Sequence, residues 1–180
     1  MRIILDLCAG SGAWSQPYAD AGYDVRRVDL PADVRLLALP KEPVHGVLAA
    51  PPCTYFCRAR MCRGRPTDEQ FREGLSVVDA CLRIVAMKRP VWWALENPQG
   101  YLSQWLGPPA LRFDPYQYGD PWTKRTWLWG DFKIPWALVA QPRGAWVVEH
   151  TKQGQRSIAR QADRSVTPPG FARAFFEANP

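Results

Sequence analysis

Two side chains that can carry out covalent and proton chemistry follow apolar segments of the chain. Cys53 comes after VHGVLAAPP, and Glu96 comes after VWWAL. A thiolate is a strong nucleophile, and a carboxyl group that is partly buried can hold a proton at neutral pH. The two prolines before Cys53 stiffen the chain, which suits a nucleophile that must be placed accurately. Taken singly, each residue has a plainer interpretation, a structural cysteine and a solvated glutamate.

A glycine-rich turn near the start of the chain could hold a ligand. The stretch DLCAGSG, from Asp6 to Gly12, follows an apolar run and precedes a helical pattern. Glycines let a backbone turn sharply and come close to a ligand, and a helix N-terminus attracts anions. Asp29 ends the next apolar run, where a carboxylate can accept both hydroxyls of a ribose. Asp33 could accept from an exocyclic amine. A turn without ligand remains the alternative, because the full dinucleotide fingerprint is absent.

The elements that must position these residues alternate between strands and helices. Apolar runs predict strands over 2–7, 25–30, 44–53, 90–98, 124–129 and 145–150. Helical patterns cover 13–25, 67–88, 99–107 and 169–178. This alternation predicts an α/β fold with a mostly parallel, doubly wound sheet, in one domain over residues 1–180. Residues 151–165 are polar and basic and are predicted to form a mobile loop.

The glycine turn, Cys53 and Glu96 each come just after a predicted strand. The carboxyl ends of parallel strands lie at one edge of a sheet, so these residues are expected to converge there.

Charge and composition restrict the partners. The net charge is +6, which favours a polyanionic partner. An arginine cluster at 58–65 is expected to contact nucleic acid, with a solvated basic surface as the alternative.

The odd number of cysteines, five, and their spacing favour neither disulfides nor a metal site. No apolar run reaches the roughly 20 residues that span a bilayer, and the start is typical of a strand, so a cytoplasmic protein without membrane contact is expected.

Five segments, in order, resemble motifs of the DNA cytosine-5 methyltransferase family. DLCAGSG is similar to the cofactor loop, PPCTYFCRA to the nucleophile loop, and ENP to the ENV element. YGDPWTKRTWLWG at 118–130 resembles the YG-x-PQ-x-R-x-R segment, and RSVTPPGFARAF at 164–175 resembles the R-x-x-T-P segment. Cys8 stands where the family usually has phenylalanine, and Cys57 where it has serine. The chain resembles small phage or prophage forms that lack the usual target-recognition domain, since only about thirty residues, 134–163, separate the last two segments.

The resemblance implies a Rossmann-like methyltransferase fold and methyl transfer from S-adenosyl-L-methionine to carbon 5 of cytosine in DNA. Cys53 would form a covalent adduct with the base, and Glu96 would hold its ring nitrogen 3. The family's paired arginines align with Lys124 and Thr126, so a base-contacting role is carried to Arg125, one position away.

The resemblance also implies the binding residues and partners. The residues expected to bind the cofactor are Asp6, Cys8, Ala9, Gly10, Ser11, Gly12, Trp14, Asp29, Leu30, Asp33, Val34 and Pro51. Those expected to bind nucleic acid are Arg58, Arg60, Arg63, Arg65 and Lys124. The expected substrate is duplex DNA with the target cytosine flipped out of the helix. A homodimer or a separate partner could supply target recognition.

Three alternatives stay open from the sequence. The first is a cytosine-5 methyltransferase that acts on RNA or on a free cytosine nucleotide. The second is a non-catalytic nucleic-acid-binding protein on the same fold. The third is a nicotinamide-dependent oxidoreductase, which leaves the PPC segment unexplained and shows no Tyr-Lys pair.

Overall fold

A computed structural model of the protein describes residues 1–57, 64–120, 123–138 and 166–180. The elements in these ranges are β1 (Ile3–Leu7), α1 (Gln16–Asp20), β2 (Asp24–Val28), β3 (Val44–Ala49), α2 (Asp68–Lys88), β4 (Trp92–Pro98), α3 (Ser103–Leu106), β5 (Leu111–Phe113), β6 (Thr126–Asp131) and α4 (Pro169–Ala178). Short 3₁₀ turns lie at Val34–Leu36 and Pro115–Tyr118. The predicted strand 145–150 and the predicted mobile loop 151–165 lie outside the described residues.

The six strands form one sheet in the order β2-β1-β3-β4-β6-β5. The pairs β1–β2, β1–β3 and β3–β4 are parallel, whereas β6 runs antiparallel to both of its neighbours. The predicted mostly parallel α/β sheet is therefore confirmed. Its register sets Leu7 beside Ala49, and Ala49 beside Leu95. The last residues of β1 and β3 thus lie level with the residue before Glu96.

Helices cover both faces of the sheet. Side chains along each strand alternate between the two faces, so apolar residues on both faces need a covering layer. Leu5 and Leu7 point into a core that includes residues of α2. Ile4 points into a second core that contains Tyr18 of α1 and Phe175 of α4. Strands β1 and β3 are therefore buried on both sides, as their continuous apolar runs predict for a parallel sheet.

Helix α2 begins and ends where its sequence signals predict. The Thr67 side chain accepts from the backbone N–H of Gln70, and the Gln70 side chain accepts from the backbone N–H of Thr67, which completes a capping box. At the other end Arg89 adopts a left-handed conformation that terminates the helix. Among the described residues no helix is both long and apolar enough to cross a membrane.

Strand β5 was not predicted. It has three residues, Leu111–Phe113, and forms the outer edge of the sheet beside β6. Such a short segment carries too little alternation to be recognised in a sequence. Strand β5 forms by pairing with the outer edge of β6.

Candidate active site

The ends of β1, β3 and β4 are joined to one another at the carboxyl edge of the sheet. The backbone N–H of Ala50 donates to the carbonyl of Leu7 at 2.9 Å. The Asn97 side-chain amide donates to the carbonyl of Pro51, also at 2.9 Å, and Asn97 is fully buried. These bonds bring the glycine turn, the segment before Cys53 and the residue beside Glu96 to one edge, as the sequence predicts.

The glycine turn follows β1 directly and depends on left-handed backbone. Cys8, Gly10 and Gly12 have φ values of 57°, 52° and 70°. A Cβ atom at Gly10 would meet nothing within 4 Å, so open space lies beside this residue. A Cβ atom at Gly12 would instead collide with the guanidinium of Arg27. The Cys8 thiol packs toward α2, where it contacts Cys81.

Arg27 holds the turn against the start of α1. Its Nε donates to the Ser15 hydroxyl at 3.0 Å, and an Nη donates to the Gln16 side-chain oxygen at 2.8 Å. Ser15 in turn donates to the carbonyl of Gly12 at 3.2 Å. The turn is therefore tied to α1 and β2 before any ligand is considered.

Asp6 lies beneath the turn, and its carboxyl group is almost completely buried, at 1% exposure. Burial raises its pKa to about 6, against the opposing effects of a hydrogen bond with Ser15 and the positive charge of Arg27. In the described part of the chain, Oδ2 of Asp6 has no hydrogen-bond partner. A buried, unsatisfied carboxyl oxygen is costly and favours a donor from a ligand.

The other predicted cofactor residues differ in how accessible they are. Asp29 and Leu30 are exposed at the end of β2, and Val34 and Pro51 are buried. Both carboxylate oxygens of Asp33 are bonded to Arg35, at 2.7 to 3.0 Å. An exocyclic amine would therefore have to compete with Arg35 for Asp33.

Trp14 lies in the core and not at an open surface. Its ring is 2% exposed and packs against Phe171 and Phe175 of α4. The indole N–H is buried and lacks a hydrogen-bond partner among the described residues. Trp14 thus joins the start of α1 to α4 by packing, and a direct contact between Trp14 and the cofactor stays a prediction.

The segment after β3 folds into a compact turn that carries Cys53. The backbone N–H groups of Phe56 and Cys57 donate to the carbonyl of Cys53, at 2.9 and 3.0 Å. Cys57 forms an isolated bridge with Gly100, where a Cβ atom would collide with the carbonyl of Phe56. This turn therefore packs tightly on the chain that follows β4, and Gly100 permits that approach.

Glu96 and Lys124 lie close enough to Cys53 to affect its ionisation. Burial, followed by Cys57 and the negative charge of Glu96, raises the pKa of the Cys53 thiol to about 11, while Lys124 acts in the opposite direction. The Lys124 ammonium lies 3.7 Å from Oε1 of Glu96, and both side chains are mostly buried, at 24% and 15% exposure. Oε1 of Glu96 has no hydrogen-bond partner in the described ranges. A thiol, a carboxylate and an ammonium thus meet at one place.

The structure brings Lys124, and not Arg125, to this group. Arg125 is exposed, and its charge acts on Asp114. The alignment with the family's paired arginines contained this signal, since Lys124 is one of the two matching positions. Asn97, which joins the exits of β3 and β4, was not singled out from the sequence, although it belongs to the ENP segment.

Of the predicted nucleic-acid-binding arginines, only Arg65 can be placed. It is exposed, with its guanidinium 5.8 Å from the centre of the Phe71 ring at the start of α2. The predictions for Arg58, Arg60 and Arg63 fall on residues 58–63, outside the described residues.

Comparison with known proteins finds a relative in sequence and a relative in fold. The chain is 31% identical, over 145 residues, to a probable DNA (cytosine-5)-methyltransferase of Frog virus 3 (isolate Goorha). The chain resembles the DNA cytosine-5 methyltransferases in overall sequence as well as in its motifs. The match covers 70% of this chain and 64% of the viral protein, so the chain spans less than two thirds of that relative. No protein-family model matches the chain.

A solved structure shows the same fold. A candidate DNA modification methyltransferase encoded within an E. coli prophage superposes with a TM-score of 0.52 and 19% sequence identity. The match covers 74% of this chain and 49% of the prophage protein. The Rossmann-like methyltransferase fold is therefore confirmed.

The buried carboxyl of Asp6 predicts a pH-dependent stability. Its pKa is about 6 in the folded chain and about 3.8 when exposed, so the protonated form favours folding. Its stabilising effect is full below about pH 4 and is lost as the pH rises through 6, by roughly 3 kcal/mol in all. Asp6→Asn should remove this component. Urea unfolding of both proteins between pH 4 and 7 measures it, and parallel curves would contradict the account.

The reactivity of Cys53 should respond to its two charged neighbours. Lys124→Gln removes the positive charge that lowers the pKa of Cys53, so alkylation by iodoacetamide at pH 8 should slow several-fold. Cys57→Ala removes a group that raises this pKa, so alkylation should accelerate. Peptide mass spectrometry gives the rate at Cys53 alone. Lys41→Gln, at a distant exposed lysine, should leave the rate unchanged, and equal rates in all four proteins would refute the assignment.

Proposed function

We propose that this chain transfers a methyl group from S-adenosyl-L-methionine to carbon 5 of cytosine in DNA, through a covalent adduct with Cys53. The observation that carries the proposal is the grouping of Cys53, Glu96 and Lys124 at the edge of the sheet where the glycine turn follows β1. The similarity to the Frog virus 3 protein supports the same reaction class.

The glycine turn has the features that an S-adenosylmethionine site requires. Oδ2 of Asp6 is buried without a partner, and open space lies beside Gly10. The cofactor carries a cationic amino group, which suits a buried carboxylate, and a ribose, whose hydroxyls suit the exposed Asp29. Bound there, S-adenosylmethionine supplies an electrophilic methyl group. Asp6, the backbone from Cys8 to Gly12, and Asp29 are the residues proposed to hold it, and Leu30, Asp33, Val34 and Pro51 complete the proposed site.

Cys53 is proposed to act as the nucleophile. Its thiolate adds to carbon 6 of the cytosine ring and makes carbon 5 electron-rich. The pKa of about 11 means that little thiolate exists at neutral pH in the free protein. Attack therefore depends on a local change when the base binds, namely the positive charge that a proton on ring nitrogen 3 brings next to the thiol.

Glu96 is proposed to hold the base and to supply the proton that makes this change. Its free Oε1 can bond ring nitrogen 3, and transfer of a proton to that nitrogen withdraws electrons from carbon 6. The positive charge on the protonated ring stabilises the thiolate and is neutralised when the thiolate adds to carbon 6. Once carbon 5 has lost its proton and the thiolate has left, the aromatic ring is restored.

Lys124 is proposed to offset the negative charges of Glu96 and of the Cys53 thiolate. Its ammonium lies 3.7 Å from Glu96 and lowers the pKa of Cys53. It could also contact the base or a neighbouring phosphate, as a cation at a substrate-facing edge would. We propose that Lys124, and not Arg125, takes part in the reaction.

The substrate is proposed to be duplex DNA with the cytosine flipped out. Carbon 6 is inaccessible inside a stacked helix, so the base must leave it to reach Cys53. The arginine-rich segment 58–65 would contact the backbone near this base. We propose residues 1–180 as a single catalytic domain, with target selection by its loops, a second copy or a separate partner.

The proposal is tested by bisulfite sequencing of DNA from a methylation-free host that expresses this chain. The wild-type chain should convert cytosines to 5-methylcytosine, and Cys53→Ser should abolish conversion. Cys57→Ser, four residues away in the same turn, should retain it. Calorimetry should show that Cys53→Ser still binds S-adenosylmethionine, because the thiol lies outside the glycine turn.

Two outcomes would count against the proposal. Loss of cofactor binding in Cys53→Ser would make the cysteine structural. Absence of methylcytosine in DNA, together with tritiated methyl incorporation into tRNA or dCMP, would move the reaction to RNA or free nucleotide.

A further inference from the structure

We propose that Arg112 and Trp127 form a phosphate-docking contact for duplex DNA beside the target base. This inference rests on the proposed function, because it concerns how the substrate of that reaction is held. It adds two residues, on β5 and β6, to the surface that the basic segment 58–65 was expected to provide.

The sheet register carries Arg112 to the same edge as the candidate active site. Arg112 pairs with Trp127 across β5 and β6, and Trp127 pairs with Asn97 across β6 and β4. Asn97 donates to the carbonyl of Pro51, two residues before Cys53. A single row therefore leads across the sheet from the outer strand to the nucleophile segment.

The distance from Arg112 to Asn97 corresponds to a few nucleotide steps along a DNA strand. Neighbouring strands lie about 4.8 Å apart, so the backbone at Arg112 is roughly 10 Å from that at Asn97. Bases along one DNA strand rise about 3.4 Å per step. Arg112 thus lies where it could meet a phosphate roughly three steps from a base held at Glu96.

Arg112 is exposed, and its guanidinium is held over a ring. It lies 5.2 Å from the centre of the Trp127 ring. Across the described ranges, no carboxylate lies within ion-pair distance of it. Arg26 and Arg35, by contrast, each bind two carboxylates. The charge of Arg112 is therefore not neutralised by these ion pairs.

A guanidinium held over an aromatic ring favours phosphate over other ligands. Trp127 lies on one side of the Arg112 guanidinium, and the N–H groups, which lie in the plane of that group, can form paired bonds with two phosphate oxygens. The covered indole face is not open to a stacking base. Arg65, two residues before the N-cap of α2, repeats the arrangement over Phe71.

The test is the salt dependence of binding to a 20-base-pair duplex, measured by fluorescence anisotropy between 50 and 200 mM NaCl. Each phosphate contact contributes about 0.9 to the slope of log Kd against log salt. Arg112→Gln should lower that slope by about 0.9, so that the wild-type Kd rises about threefold more than the variant's over this range.

Matched variants separate this role from a change in folding. Arg112→Lys keeps the charge and should keep most of the slope, while Trp127→Phe keeps a ring under Arg112 and should bind more tightly than Arg112→Gln. Arg2→Gln removes an exposed arginine at the opposite edge and should leave the slope unchanged. Thermal unfolding midpoints within a few degrees of wild type show that each variant folds.

An unchanged slope in Arg112→Gln overturns the docking contact while methylation by the wild type still supports the proposed function. A wild-type chain that neither binds nor methylates duplex DNA overturns the proposed function itself. Equal loss of slope in Arg2→Gln would show a general charge effect and also refutes the contact.

Discussion

Parallel pairing of β1, β3 and β4, tied at their exits, is the constraint on which the proposed chemistry depends. Two hydrogen bonds, from Ala50 to Leu7 and from Asn97 to Pro51, fix the ends of these strands level with one another. The bond from Asn97 is buried, so breaking it would leave unsatisfied polar groups. Residues that lie far apart in the sequence are therefore held at one edge without a metal or disulfide being needed to join them.

The same burial that orders the site opposes its reactivity. It raises the pKa of the Cys53 thiol and that of the Asp6 carboxyl, and Glu96 adds its negative charge near the thiol. Lys124 offsets part of this effect. A protein with these groups stays weakly nucleophilic until a substrate changes the charges around Cys53, which would limit reactions with other electrophiles.

The sequence could predict the parallel strands, helix α2 with its capping box, and the meeting of the glycine turn with Cys53 and Glu96. These features follow from local patterns and from one rule about parallel sheets. The family alignment matched Lys124, but residue type favoured Arg125, and only the pairing of β6 with β4 shows which of the two side chains reaches Glu96. Arg35, which pairs with Asp33, is also held by Glu73 and Ser76 of α2, which are remote in the sequence. Strand β5 is too short to show a pattern.

The central claim is that Cys53 forms a covalent bond with a cytosine in DNA. Its most direct test is to incubate the protein and S-adenosylmethionine with duplex DNA that contains 5-fluorocytosine, whose fluorine prevents the final loss from carbon 5. The account predicts a complex that survives denaturation, with the nucleotide mapped by mass spectrometry to the peptide that contains Cys53. Absence of the complex, or attachment to another cysteine, would contradict it.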